Sequence, residues 1–235
     1  MSRSFQIVCL LTFSLILLSS LLADSQTEAQ APAVVIFTLD FPASQPQHYS
    51  IHIPTDGSAH YQSSGRVSAD SDGTDSQDND SDNSDTFEFD FTVPAETRQR
   101  IFDLAAKAGY FQTDVNSHRK GLAFTGKKTL SYKDAQRSGE STYNYSSSPA
   151  VQELTDLMQS LSATLEFGHR LQYDRHYQKL ALDDELKRME ELARSNQLRD
   201  VAAIQPILDQ IIADQSVINV TRARAQRLLE HAGVH

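Results

Sequence analysis

The sequence predicts an α+β fold, in which an antiparallel β-sheet is packed by two helices and followed by an all-α C-terminal helical arm. Before residue 146, apolar and polar residues alternate in short stretches, which is typical of half-buried strands. Beyond residue 166, apolar residues recur every three or four positions, which indicates helices alone. The predicted order is three strands, an insertion, a strand, a helix, a hairpin and a helix, which favours helices on one face of the sheet.

Three strands are predicted before the insertion. The apolar run 33–39 is rich in β-branched residues and indicates a buried strand. The next two strands form a hairpin whose apolar faces must match, which requires a three-residue loop with Gly57 in the left-handed conformation. The predicted pairs are Ile53 with Ala59, Ile51 with Tyr61, and His52 with His60 on the outer face.

A strand followed by a helix carries the strongest fold signal. Phe87, Phe89, Phe91 and Val93 alternate with polar residues and therefore share one strand face. Pro94 ends the strand and suits the first turn of a helix. The apolar helix face and its glycine stop are Ile101, Leu104, Ala105, Ala108 and Gly109. Burial of each strand side chain contributes about 1.5–3 kcal/mol, so this unit is predicted to anchor the core.

A second hairpin and the helical arm complete the predicted fold. Lys127–Lys133 and Glu140–Tyr145 are predicted strands, joined by the loop Asp134–Gly139. Ser148 and Pro149 are typical of a helix start. The last two helices of the arm form a short hairpin that cannot bury a core alone, so it must dock on its own domain or on a partner.

The chain divides into three predicted regions. Residues 1–31 are a signal peptide, because a basic start precedes an apolar run and small residues. Residues 32–166 form the α+β domain, with a disordered acidic insertion at 66–85, and residues 167–235 form the helical C-terminal region. We therefore expect a periplasmic or secreted protein with no membrane span after signal cleavage, and an uncleaved N-terminal anchor is the alternative.

Charge and cysteine content argue against several classes of function. The net charge is −10, but nine of the acidic residues lie between Asp70 and Asp90. Without these and residues 1–31, the chain has 20 basic and 20 acidic residues, so its overall balance favours neither a nucleic-acid nor an anionic-membrane surface. The single cysteine, Cys9, lies in the apolar run, so the exported chain has no disulfide and no thiolate metal site.

Two stretches approach ligand-binding motifs and then depart from them. Gly121–Thr129 is close to a phosphate-binding loop, but its hydroxyl residue comes one position late and a strand follows, so a β-turn is predicted. In the acidic insertion, alternate aspartates match the first calcium-loop ligands, but Asn83 and Phe89 stand where Gly and Glu are needed. These aspartates are Asp78, Asp80 and Asp82. We expect a solvated, disordered segment, and weak cation binding is the alternative.

Histidines, serines and arginines give no assignable site. His52 and His60 could share a metal ion, but two ligands are too few, and His48 lies about 13 Å along the strand. The nucleophile motif G-x-S-x-G does not occur in the chain. A basic cluster near the C-terminus, predicted to be a solvated helix face, comprises Arg222, Arg224 and Arg227. We therefore assign no catalytic, cofactor-binding or metal-ligating residue and expect no cofactor.

The pattern of the chain resembles uncharacterised exported bacterial α+β proteins. The stretches behind the resemblance are VPAETRQRIFDLA, FTGKKTLSY, NYSSSPAVQELTDLMQSLSATLE and NVTRARAQRLL, and it covers about residues 33–232. The resemblance implies no catalytic residues.

The sequence favours a non-enzymatic protein of the cell envelope or periplasm that binds a protein or an envelope component through its C-terminal helices. Two alternatives stay open: an exported hydrolase with a site built from scattered serine, histidine and aspartate residues, and a weak cation-binding protein acting through the Asp-rich segment.

Overall fold

The protein is built on one six-stranded antiparallel sheet whose inner face is covered by helices. The computed structural model describes residues 32–65, 85–195 and 197–233, with the side chain of Asp85 outside the description. The strands are β1 (Val34–Asp40), β2 (His48–Pro54), β3 (Ser58–Gly65), β4 (Asp85–Thr92), β5 (Lys127–Lys133) and β6 (Ser138–Tyr143). Their order across the sheet is β4-β3-β2-β1-β5-β6. The predicted α+β fold class is confirmed.

Five α-helices and two short 3₁₀ helices complete the described part of the fold. The α-helices are α1 (Ala95–Lys107), α2 (Pro149–Tyr177), α3 (Ala181–Arg194), α4 (Gln205–Ala213) and α5 (Asn219–His231). The 3₁₀ helices are Gly109–Phe111, after α1, and Val201–Ile204, before α4. Within the described ranges, no helix combines the length and the apolar character that a bilayer crossing requires.

The first hairpin has the predicted register. Ile51 pairs with Tyr61 and His52 with His60. Gly57 lies in the loop at φ +90, where a side chain would be strained. Because side chains alternate along each strand, Ile51 and Tyr61 are fully buried on the inner face while the two histidines lie on the outer face.

The central strand and helix are also as predicted. Phe87, Phe91 and Val93 are buried on the inner face of β4 and in the segment that follows it. Helix α1 begins directly after Pro94 and buries Ile101, Leu104 and Ala105. This strand–helix unit therefore contributes to the main hydrophobic core.

The second hairpin forms, but its return strand lies two residues earlier than predicted at both ends. Strand β6 covers Ser138–Tyr143, whereas the sequence favoured Glu140–Tyr145. The Asp134 carboxylate accepts hydrogen bonds from the backbone N–H groups of Gln136 and Arg137, at 2.7 and 2.6 Å. This turn, held by Asp134, shortens the loop between β5 and β6, so β6 begins at Ser138 rather than at Glu140.

Helix α2 links the sheet to the helical C-terminal region. It continues to Tyr177 and so crosses the predicted boundary between residues 166 and 167. Gly168 lies at the contact: a Cβ atom there would stand 2.8 Å from a methyl of Ile204 and 2.9 Å from a methyl of Ile207. One hydrophobic core runs through both regions, so the helical arm docks on its own chain.

The C-terminal basic cluster forms part of this docking. The Arg224 and Arg227 guanidinium groups donate to the buried carboxylate of Glu190, at 2.8 and 2.9 Å, and join α5 to α3. Arg224 also donates to Asp183 at 2.9 Å. The cluster is therefore a helix–helix contact as well as a surface. The predicted signal peptide (residues 1–31) and residues 66–84 of the acidic insertion lie outside the described residues.

Candidate binding cleft

A cleft of about 340 Å³ opens where the loop after β1 meets α2 and α3. The loop contributes Ser44, Gln45 and Pro46, and the sheet contributes Leu39 and Tyr49. The helical side adds Ser162, Glu166, Phe167, Arg170, Arg188 and Leu192. The volume is at the small end of ligand pockets, which span about 300–1,000 Å³. Neither the sheet with its loop nor the helices would form this cleft alone. We call it the α2 cleft.

Phe167 and two arginines form one wall of the α2 cleft. The Phe167 ring is buried, and the Arg170 guanidinium lies 4.4 Å from its centroid. The Arg188 guanidinium lies on the same ring at 6.0 Å. Cations over an aromatic face are held in place by the ring quadrupole, so both charges are fixed near the opening.

The two arginines differ in their partners. Arg170 forms a salt bridge with Glu185, so much of its charge is neutralised within the protein. Arg188 is exposed and forms no salt bridge with any residue of the described part. The α2 cleft therefore offers one cation, at Arg188, for an anionic group brought by a ligand.

A chain of hydrogen-bonded hydroxyl groups lies at the inner end of the α2 cleft. The Tyr61 hydroxyl lies 3.0 Å from Ser162 Oγ and donates to Glu166 Oε1 at 2.7 Å. Tyr49 also hydrogen bonds with Ser162. Burial raises the pKa of both tyrosines, so both phenols stay neutral at physiological pH. These hydrogen-bonded hydroxyl groups provide polar contacts in a cleft that is otherwise partly apolar.

Glu166 stays ionised although it is largely buried. Burial by itself raises the pKa of a carboxyl group, but polar contacts with His169, Ser63 and Tyr61 outweigh it, so the pKa of Glu166 lies below its ordinary value. His169 Nδ1 lies 3.7 Å from Glu166 Oε2, and the His169 ring stacks on Phe87 at 4.2 Å. The carboxylate therefore has its partners within the protein and ties α2 to β3.

This arrangement does not provide an activated nucleophile. Ser162 hydrogen bonds with tyrosine hydroxyls, and a neutral phenol is too weak a base to take its proton. Glu166 accepts a hydrogen bond from the Tyr61 hydroxyl rather than from Ser162. The α2 cleft is suited to binding through hydroxyl, apolar and guanidinium contacts, without covalent chemistry at Ser162.

Most of the sequence-predicted candidate residues lie away from the α2 cleft. His52 and His60 meet on the outer face of the sheet with ring centroids 6.4 Å apart, and His60 hydrogen bonds Asp90 at 2.7 Å. His48 hydrogen bonds Asp40 instead, at 2.5 Å. Burial and the neighbouring His60 lower the pKa of His52, which favours its neutral form. Across the described ranges, no group of three or more potential ligands could hold a metal ion.

The Gly121–Thr129 stretch comprises part of an exposed loop and the first residues of β5. Strand β5 begins at Lys127, so a strand follows the glycines, as predicted. The Lys128 ammonium is buried and donates to the backbone oxygens of Thr125 and Asn144, at 3.0 and 3.1 Å. Burial lowers the pKa of Lys128. The lysine here holds the loop in place.

The residues of the α2 cleft were not identified from the sequence. One signal was present: Ser162 and Glu166 interrupt the apolar face of α2 that includes Met158, Leu161 and Leu165. Two polar residues one turn apart on a buried helix face indicate a polar contact inside the fold. Tyr49 and Arg188 carried no comparable signal, because each fits an ordinary strand or helix pattern.

Comparison with known proteins gives no further assignment. No family model matches the chain. No curated protein matches it either.

Proposed function

We propose that this protein is an exported, non-enzymatic binding module of the cell envelope or periplasm, and that its partner protein binds in the α2 cleft. The observation that carries the proposal is the cleft itself, which both the sheet and the helical region line. The proposed partner segment is short and apolar, and it carries an acidic group.

The lining of the α2 cleft supports this ligand chemistry. Leu39, Phe167 and Leu192 provide apolar surface, on which a partner side chain loses water. Arg188 supplies a planar guanidinium that forms no salt bridge among the described residues, and its shape suits two parallel hydrogen bonds to a carboxylate. Ser162 and Tyr49 add hydroxyl contacts, so the cleft can orient a segment as well as retain it.

The docked helical arm changes where binding is proposed. The sequence predicted that the arm hairpin docks on its own domain or on a partner, and in the structure the arm packs on its own chain, against α2, through Ile204 and Ile207. Deleting the arm would therefore remove part of the core, and it is unsuitable as a test of binding. The proposal rests on the cleft that the arm lines together with the sheet, which a single surface substitution can change.

The test is affinity purification of the tagged full-length protein from cross-linked cell envelopes, comparing the wild type with Arg188→Glu. Reversing this charge places a carboxylate where the partner's acidic group is proposed to bind. We expect the partner's recovery to fall at least tenfold, since lost charge-assisted hydrogen bonds contribute about 1.5–3 kcal/mol each. The thermal unfolding midpoint should change little, because Arg188 is exposed.

Lys187→Glu is the matched control. It makes the same charge change one position earlier on α3, at an exposed residue that does not line the α2 cleft. Recovery of the partner with Lys187→Glu should equal that of the wild type. Equal recovery with Arg188→Glu as well, or equal losses with both variants, would contradict binding in the cleft.

A further inference from the structure

An exposed loop beside β5 combines basic and apolar side chains; we call residues 118–127 the basic loop. Every residue from 118 to 125 is exposed. Leu122 is 41% exposed and Phe124 is 58% exposed, so two large apolar side chains face solvent. Two such side chains on one short loop provide apolar surface that a binding partner can cover.

The charge of the basic loop is opposite to that of the chain. Residues 112–128, which include the basic loop and the residues flanking it, contain four basic residues and one acidic residue, a net charge of +3. The whole chain has a net charge of −10. The acidic residue, Asp114, is already paired with His118 at 2.6 Å. Arg119, Lys120 and Lys127 are exposed and form no salt bridge with any residue in the described ranges. The loop therefore presents three uncompensated cations beside its apolar pair.

The base of the basic loop is held by an inner set of hydrogen bonds. The Asn144 side chain donates to the Ala123 carbonyl at 3.0 Å and accepts from the Thr125 N–H at 2.9 Å. Lys128 donates to the Thr125 carbonyl from below. Phe124 packs edge-on against Phe41, with centroids 5.8 Å apart. The apolar pair is therefore presented by a fixed backbone.

We propose that the basic loop docks the protein on an anionic lipid bilayer surface, with Leu122 and Phe124 entering the interface and Arg119, Lys120 and Lys127 contacting lipid headgroups. This goes beyond the proposed function, because it uses a different surface and a different partner. The charge balance of the whole chain did not indicate an anionic-membrane surface, because the excess of basic residues in the basic loop is local.

Lipid is favoured over a soluble polyanion because of the apolar pair. A polysaccharide or nucleic acid would neutralise the cations, but it has no apolar interior for Leu122 and Phe124. Phe and Leu are typical of the apolar faces with which peripheral segments enter the boundary between lipid headgroups and acyl chains. Basic residues close to an anionic surface each strengthen binding by about fivefold.

The test is vesicle co-sedimentation of residues 32–235, which form one compact unit without the apolar N-terminal run. Vesicles contain phosphatidylcholine alone or phosphatidylcholine with phosphatidylglycerol. We expect sedimentation with the anionic vesicles and much less with the neutral ones. Raising the salt to about 1 M, where the Debye length is about 3 Å, should release most of the protein.

Two double variants separate the contributions of charge and insertion. Arg119→Glu/Lys120→Glu should weaken binding to anionic vesicles by roughly 25-fold or more, at about fivefold per lost charge. Leu122→Ser/Phe124→Ser should also weaken it, while leaving the unfolding midpoint within a few degrees because both side chains are exposed. The matched control is Leu180→Ser/Ile218→Ser, which removes two exposed apolar side chains elsewhere.

Three results would overturn the proposal. One is the absence of binding to anionic vesicles. Another is an equal loss with the Leu180→Ser/Ile218→Ser control. The third is retention on dextran sulfate beads, lost with Arg119→Glu/Lys120→Glu, without any vesicle binding; this would assign the loop to a soluble polyanion instead.

Discussion

Two carboxyl groups on α2 show how local contacts set charge inside this fold. Polar contacts with His169, Ser63 and Tyr61 keep the pKa of Glu166 low despite burial. Asp174, two turns further along, has the opposite environment: burial and the nearby carboxylate of Glu185 raise its pKa to about 6 against the attraction of Arg170. The two groups therefore contribute to stability with opposite dependence on pH.

Replacing Asp174 with asparagine tests this environment. Because the folded protein holds the Asp174 proton up to about pH 6 and the unfolded chain releases it near pH 4, this group lowers stability as pH rises between those values. Asp174→Asn should therefore raise the thermal unfolding midpoint at pH 7 and leave it nearly unchanged at pH 4. Partial exposure keeps the difference small.

Asp209→Asn, at an exposed position on α4, is the control for that experiment. Its unfolding midpoint should follow the wild type at both pH values. If Asp174→Asn shows the same midpoint difference from the wild type at pH 4 and pH 7, the raised pKa of Asp174 is contradicted.

At the scale of elements, α2 is the helix on which the sheet and the arm both pack. It buries Leu154, Met158 and Leu161 near its start and Leu171 near its end. Gly168 lets Ile204 and Ile207 approach the α2 backbone closely, because glycine has no Cβ atom to obstruct them. The glycine costs about 1 kcal/mol of helix propensity relative to alanine, and close packing offsets this cost.

Gly168→Val should destabilise the protein by about 1–3 kcal/mol, because the added methyl groups must displace Ile204 and Ile207. Urea unfolding at equilibrium measures the change. Gln172→Val, on the same helix at a partly exposed position, should change the free energy of unfolding much less. A similar effect of both substitutions would show that the contact at Gly168 does not limit packing.

The strands and helices were predictable from the sequence where the burial of one apolar face determines the structure of the segment. Alternation fixed the β2–β3 register, with His52 opposite His60, because a slip of one residue would turn Ile51 and Tyr61 outward. The start of β6 was misplaced because it depends on the Asp134 side chain, which accepts the N–H groups of its own turn. Such a local side-chain bond leaves no periodic pattern in the sequence.

At the scale of the whole molecule, the α2 cleft could not be read from the sequence. Tyr49, Ser162 and Arg188 lie on three elements far apart in the chain, and only the docking of the arm brings them together. Hydrophobic periodicity predicts which face of a helix is buried, but not where two buried faces leave a space between them. The arm hairpin was correctly expected to need a surface, and α2 and α3 together provide it.

Site-specific photo-crosslinking in living cells can show whether a partner protein binds in this cleft. A photoreactive amino acid is placed at Gln159, which lines the cleft, and at Gln136, an exposed residue of the β5–β6 turn, as the control. We expect a discrete cross-linked product from position 159 that disappears with Arg188→Glu and is absent from position 136. Products from position 136 alone, or products at 159 that persist with Arg188→Glu, would contradict it.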